Sequence, residues 1–389
     1  MLVISLIKGV PARTTKVVTV GGVLRREEME IVMNPHDSKA VEAADYVRKS
    51  VGGKTVALTM GPDVKLAPIM TGLYGAQVYG VDEVAILSDR RMAGADTLAT
   101  SYALAFGIKA VLRRHELPLD ELAALVASAG ADVVEARAKE LYASNLLPNR
   151  VYSTLPPVKD SLVHRLARGE VSKEEAIREL KEAKEGLSSF VVIAGVKSTD
   201  GETGSVGPQT AEALSEILGV EVPHATYVED FEVDATSLRA ERKMSRMVQS
   251  LEMRLPALVT VAAEYRPRQP DPKRQVEVRG NNYAGKVLQP MKWDADHLGA
   301  DPGRLGLAGS PTIVGPGVDI GKPPVQKRVG ESMVFLQKVG RLTWKEAELG
   351  PFDEGDLADS LPRELLAELR AKGTVGEFSM ERLLGELFR

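Results

Sequence analysis

One pattern constrains this chain more than any other. A short apolar run stops abruptly at glycine or a small polar residue, and a stretch of helical periodicity follows. It occurs at Leu2–Ile7, at Thr55–Met60 before Gly61-Pro62, at Val84–Leu87 before Ser88-Asp89, and at Phe190–Ala194 before Gly195. The helical stretches are equally regular: Ala40, Ala44, Val47 and Val51 share one face and end at Gly52-Gly53. Strands that alternate with helices predict an α/β fold with a mostly parallel sheet covered on both faces. In such a sheet a ligand lies at the carboxyl ends of the strands, where the loops gather and helix N-termini attract anions. Those loops are Lys8-Gly9, Met60-Gly61-Pro62, Ser88-Asp89 through Thr100, and Gly195 through Gly207.

Composition removes several classes of function. With 389 residues, 44% of them hydrophobic, the chain can bury a large core. No run approaches the roughly 20 apolar residues of a membrane span, and Met1 to Lys8 is too short for a signal peptide. Cysteine is absent, which excludes disulfides, thiolate nucleophiles, iron–sulfur ligation by this chain and Cys-type zinc sites. The expected location is cytoplasmic, peripheral to a membrane only through partners. A net charge of −4 gives no basic face for nucleic acid. His36, His115, His164, His224 and His297 form no His-x-x-x-His pair, so no metal is expected, and there is no Gly-x-Ser-x-Gly elbow. Chemistry in this chain is therefore expected from a cofactor.

Beyond the strand–helix core the sequence changes character twice. Between Leu112 and Leu187 it is charged and helical. Ser172 with Glu175 makes a capping box there, and Ala176, Leu180, Ala183 and Leu187 share one face. After Pro324 a second such region includes a helix opened by Ser360-Leu361-Pro362, carrying Leu365, Leu366 and Leu369 and stopping near Gly373. Tyr227–Val233 and Leu255–Val261 read as further strands separated by charged residues, and Pro311–Pro324 as an extended arm. The predicted organisation is an α/β nucleotide-binding domain over 1–113 and 188–262, a helical insertion over 114–187, an arm with a partner-recognition loop over 263–324, and a helical tail over 325–389.

Each candidate motif has a bland counterpart. Asp200-Gly201-Glu202-Thr203-Gly204-Ser205-Val206-Gly207 follows a buried strand and precedes a helix, Pro208–Leu218, so its amides and hydroxyls can cradle phosphate; an ordinary glycine-rich turn has the same pattern. Gly94 through Ser101 opens a helix whose buried face is Leu98, Tyr102, Ala105, Ile108 and Leu112. Asp96 or Thr97 caps it, or Thr97 and Thr100 present hydroxyls to a ligand. Asn34-Pro35-His36-Asp37 reads as a turn with Asp37 as N-cap. Gly280 through Lys286 has P-loop spacing, but Val287 stands where a magnesium-binding hydroxyl belongs, so it reads as a loop; Gly315 through Gly321 reads as extended chain.

Taken in order, several motifs resemble the electron-transfer flavoprotein β-subunit family. They are Asn34-Pro35-x-Asp37, Met60-Gly61-Pro62, Ser88-Asp89 with Gly94 through Ser101, and Asp200-Gly201-Glu202-Thr203 with Val206-Gly207-Pro208. Leu255 through Val261, Pro267-Arg268 and Gly309-Ser310-Pro311-Thr312 add to them. The resemblance covers Met1–Arg113 and Ser188–Pro324. It is strongest to the electron-bifurcating and nitrogen-fixation-type members, and it implies a doubly wound sheet of the adenine-nucleotide α-hydrolase-like type. The nucleotide-binding positions carried over are Lys8, Asn34, Asp37, Met60, Gly61, Pro62, Ser88, Asp89, Ala95, Asp96, Thr97, Thr100, Gly195, Asp200, Glu202, Thr203, Val206 and Gly207. They bind and are not acid–base catalysts. Glu202 and Gly204-Ser205 depart from the family's commoner Asp and Ala-Gln.

The resemblance further implies FAD in this site with NADH as electron donor, an α-subunit partner, and electron bifurcation toward a quinone oxidoreductase or dehydrogenase and a ferredoxin-type acceptor. The alternatives are AMP in the site, as in housekeeping members, or a nucleotide-binding protein of the universal-stress type. The segment from Gln269 occupies the place of the family's partner-recognition loop without its leucine-bearing sequence.

Overall fold

A strand with one face in water alternates buried and exposed residues, whereas every residue of Leu2–Ile7 is buried. The same holds for Glu83–Leu87 and Ala257–Val261, so layers of helix cover both faces of the sheet they build. The computed structural model describes residues 1–12, 19–20, 23–24, 30–73, 81–144, 146–148, 150–154, 160–266 and 290–312. These belong to one compact unit, Met1–Pro316. The loop from Gln269, the P-loop-like Gly280 to Lys286, the arm beyond 312 with Gly315 through Gly321, and the tail 325–389 lie outside the described residues.

In chain order the strands are β1 (Leu2–Ile7), β2 (Gly9–Pro11), β3 (Thr19–Val20), β4 (Val23–Leu24), β5 (Ile31–Met33), β6 (Lys54–Met60), β7 (Glu83–Leu87), β8 (Val191–Gly195), β9 (His224–Val233), β10 (Ser237–Met244), β11 (Met247–Arg254), β12 (Ala257–Val261) and β13 (Met291–Trp293). The helices are α1 (Pro35–Val51), α2 (Asp63–Leu73), α3 (Thr97–Ser128), α4 (Ala131–Ala143), α5 (Leu162–Ala167), α6 (Lys173–Glu185), α7 (Val206–Leu218) and α8 (Ala295–Leu298). The main sheet has the order β11-β10-β9-β12-β8-β1-β6-β7-β13. From β9 to β13 all neighbours are parallel, and β10 and β11 extend the sheet antiparallel. The fold is α/β and doubly wound. From β1 the chain moves outward through β6 and β7 on one side, and resumes at β8 on the other. The topological switch point therefore lies between β1 and β8.

Side-chain alternation divides the core. Leu2, Ile4 and Leu6 pack with Val56, Leu58, Val192 and Leu258 against Tyr102, Ile108, Ala211 and Leu214 of α3 and α7. On the other face Val3, Val191, Ile193 and Val259 meet Ala40, Ala44 and Val47 of α1, while Ala57 and Ile86 meet Leu66 and Met70 of α2.

Three findings differ from the sequence reading. The charged run between the last two predicted strands is itself a hairpin, β10 and β11, in which Leu238 and Ala240 are buried between exposed Arg239 and Glu241. Alternation, not mean polarity, decides a half-covered strand. Next, α3 runs 32 residues, with buried Pro118 inside it, across the boundary expected at 113/114. Its second half joins α4, α5 and α6 in a separate core that includes Leu119, Leu122, Val134, Leu141 and Leu180. Lastly, Leu98 is 47% exposed, and the buried face of α3 starts at Ala99. No helix among the described residues is long and apolar enough to cross a membrane.

Candidate functional site

The loops at the switch point hold one another. Pro35 occupies the first turn of α1, where a missing N–H costs nothing, and Asn34 takes the N-cap position. Asp37 is thus not the cap expected from the sequence: it lies one turn in, and its side chain is buried. Its Oδ2 accepts the Lys8 backbone N–H at 2.8 Å and its Oδ1 accepts Asn34 Nδ2 at 2.9 Å. The Gly195 backbone lies close enough to the carboxyl to draw its pKa down. Asn34 Nδ2 also donates to the Lys197 carbonyl at 3.0 Å, while its Oδ1 accepts the Thr199 N–H at 3.2 Å. Lys8 Nζ reaches Asp200 Oδ1 at 2.7 Å and Ser198 Oγ at 3.1 Å. The loop after β8 therefore hangs from the end of β1 and the start of α1. Gly195 permits this approach, because a Cβ there would lie 2.5 Å from Asp37 Oδ1 and 2.7 Å from the His36 carbonyl carbon.

Charge at the site follows from burial and partners. Burial pushes the Asp37 carboxyl up to about 7, against the pull of the Lys8 and Asn34 donors and the Gly195 backbone. At Asp200 burial also raises the carboxyl, but the hydrogen bonds from Lys8 and Ser198 outweigh it and leave the group below its ordinary range. Burial, then Lys197 and Lys39, hold the His36 imidazole below its ordinary value.

The glycine-rich stretch turns on two left-handed residues, Glu202 (φ 53°) and Gly204 (φ 68°). The Glu202 N–H returns to the Ser198 carbonyl at 3.0 Å, and Lys197 Nζ stands 3.6 Å from the Glu202 carboxylate. Helix α7 then begins at Val206, two residues earlier than predicted, and its N-cap Ser205 makes no side-chain cap. Its first-turn N–H groups are left for another acceptor. A Cβ at Gly207 would lie 2.3 Å from Thr260 Cγ2, so this glycine seats the start of α7 on β12. Thr203 Oγ1 accepts the Ser205 N–H at 3.5 Å.

Ser101 Oγ lies 2.7 Å from the Thr97 carbonyl and 3.1 Å from that of Val206, bringing the first turns of α3 and α7 together. Thr97 and Thr100 are half-buried. Their hydroxyls bond to no other described residue.

The remaining predicted residues serve as corners of the frame. Gly61 (φ 148°) follows Met60 at the end of β6 and donates its N–H to the Leu87 carbonyl at 3.0 Å; the Pro62 carbonyl starts α2. Ser88 Oγ accepts the Asp63 N–H at 3.2 Å. Asp89 takes the Arg91 guanidinium and the Ala295 N–H at 3.1 Å, and that guanidinium holds its carboxyl far below the usual range. Beyond Ala95, Asp96 caps α3, accepting the Leu98 and Ala99 N–H groups at 3.0 Å; its other oxygen takes the Thr312 hydroxyl at 2.7 Å.

Sequence reasoning passed over Ser198, Thr199, Ser101 and Thr312 as site partners. The signal for the first two was their place directly after Gly195, and for Thr312 its motif with Ser310. Two clefts open away from this network. One of about 150 Å³ lies between α3 and α7 beside Tyr102, Gln209 and Arg304. The other, of about 640 Å³, lies where β8, β9 and β12 begin, lined by Leu112, Phe190, Val220 and Pro256. Lys8, Asn34 and Asp200 line neither. The described residues contain no group of three or more His, Asp or Glu that could hold a metal ion.

Residues 21–141 match the electron transfer flavoprotein domain family. Relatives cover most of the chain. The electron transfer flavoprotein subunit beta of Thermoanaerobacterium thermosaccharolyticum is 28% identical over 318 residues, 81% of this chain and 86% of that protein. Protein FixA of Bradyrhizobium diazoefficiens is 27% identical over 79% of this chain and 78% of its own length. The caffeyl-CoA reductase–Etf complex subunit CarD of Acetobacterium woodii is 26% identical over 75% of this chain and 78% of its own. With its switch-point site on a doubly wound sheet, the chain is similar over most of its length to the electron-transfer flavoprotein β subunits, FixA and CarD among them.

Proposed function

We propose that the chain is the β subunit of a bifurcating electron-transfer flavoprotein, working with an α subunit and holding FAD at the switch point. The electron donor is NADH. The acceptors are a quinone-linked oxidoreductase or dehydrogenase and a low-potential, ferredoxin-type protein. The observation that carries this reading is the suspended loop 197–204 leading into an α7 N-terminus with no side-chain cap. That is a cradle for the phosphates of an adenine nucleotide.

The residues fit such a group in three respects. Lys8 and Lys197 are paired with Asp200 and Glu202, so attraction for phosphate falls to backbone N–H groups and the helix dipole. Thr97 and Thr100 add hydroxyls from the first turn of α3, which Ser101 ties to the first turn of α7. Gly204 takes a left-handed turn and adds no side chain where the loop leads into α7. Bound there, a flavin supplies one- and two-electron chemistry for which the chain has no side chains of its own. The choice of FAD over AMP rests on the motif resemblance of Gly94 through Ser101 and Asp200 through Thr203 to the bifurcating and nitrogen-fixation-type members.

The test is cofactor extraction from the chain purified together with its α subunit, counting FAD and AMP, followed by NADH without oxygen. Two FAD per heterodimer with bleaching by NADH is the expected result. One FAD with one AMP and no response to NADH would make the protein a housekeeping carrier, and no flavin would leave a universal-stress-type nucleotide binder.

A further inference from the structure

We propose that Asp37 is a positioning residue: it sets the shape of the nucleotide site from beneath by pinning the ends of β1 and β8 to the start of α1, without touching the nucleotide. This rests on the strand-end reading above. The two strands that Asp37 joins are those that flank the switch point: it accepts the Lys8 N–H at the end of β1, and Gly195 at the end of β8 packs directly on its Oδ1. Its second donor, Asn34 Nδ2, is the group that also carries the Lys197 carbonyl, and Lys8 in turn carries Ser198 and Asp200. Every anchor of the suspended loop thus runs back to a residue that Asp37 holds.

The chemistry suits a carboxylate and nothing else of its size. Above about pH 7, where it is ionised, Asp37 offers two oxygens and about four lone-pair sites and donates nothing, which is what the converging Lys8 and Asn34 donors require. An Asn at 37 would offer one acceptor oxygen and point an N–H at a donor. A second observation agrees: Gly195 leaves out a Cβ that would lie 2.5 Å from Asp37 Oδ1. Asp37 itself is 5% exposed, so it faces the protein rather than the crevice.

The test compares wild type and Asp37→Asn, as full chains with the α subunit and stripped of nucleotide, at pH 8. AMP affinity is measured by calorimetry and amide exchange is followed at Lys8 and Gly195. The expected result is at least tenfold weaker AMP binding with faster exchange at both amides. Asn34→Asp combined with D37N, which swaps acceptor and donor between the two side chains, should recover part of the affinity.

A folded D37N that binds AMP like wild type overturns the proposal, as does faster exchange with unchanged affinity, which would make Asp37 a purely structural residue. Should D37N not fold, Gly195→Ala displaces the same carboxylate, and wild-type AMP affinity in that variant overturns the proposal equally. Wild type binding neither AMP nor FAD would instead sink the strand-end reading itself and the proposal with it.

Discussion

Asp37 also makes stability depend on pH, with a sign that the burial of its carboxyl determines. Its native value is pushed up to about 7 from an ordinary 3.8, so between these limits the native chain holds a proton that the unfolded chain has released. Stability contributed by this group is full below the lower limit and falls as pH rises through the window. The slope is at most about 1.4 kcal/mol per pH unit for one proton. Urea midpoints measured from pH 4 to pH 8 should show this descent in wild type and a flatter line in D37N. Glycine at 207 is the other sharp residue-level constraint. Gly207→Ala sets a methyl 2.3 Å from Thr260 Cγ2 and should cost about 1–3 kcal/mol, read as a lowered thermal midpoint. At this scale the sequence was informative about place and less so about role. Asn34 and Asp37 stood out as a turn, but which of them capped the helix depended on Pro35, and the burial of Asp37 depended on a glycine 158 positions away.

Among elements, α3 shows how one cap serves two purposes. Asp96 holds both the first turn of the helix and Thr312, so Asp96→Ala should cost about 1–2 kcal/mol and speed amide exchange at Leu98, Ala99 and Thr312 together. A loss confined to the helix would refute the shared role. The capping box of α6 is simpler: Ser172→Ala removes an acceptor for the Glu175 N–H, at about 1 kcal/mol, seen as fraying of that helix alone. Strands buried on both faces and helices with a clean stripe were legible from periodicity, as with β1, β6, β8 and α1. The β10–β11 hairpin was not, because charges at alternate positions look like a loop until the pairing partner is known. The three-residue β13 was not either, since Met291–Trp293 is too short to carry a period. The union of the α3 and α7 first turns through Ser101 was invisible for a related reason: the two motifs are about a hundred residues apart.

For the whole molecule, the sheet and the helical insertion have separate hydrophobic cores, one including Leu58 and the other Leu122. Leu122→Ala should cost about 2–5 kcal/mol. Its effect should appear as lost exchange protection in α4, α5 and α6 while β1, β6 and β8 keep theirs. Equal loss in both regions would mean the two cores unfold as one. What joins them is α3, whose 32 residues extend about 48 Å at 1.5 Å each. Its first turn carries Asp96, Thr97 and Thr100, and its last turns carry Leu122 and Val126. Such an element behaves as a beam whose first half, through Leu112, is clamped in the sheet core and whose second half lies in the other. A tilt of one degree about one end moves the other by about 0.8 Å, a third of the radius of the Cα cylinder itself. A displacement of the insertion is therefore carried along α3 toward its opening turn, where Thr97 and Thr100 stand.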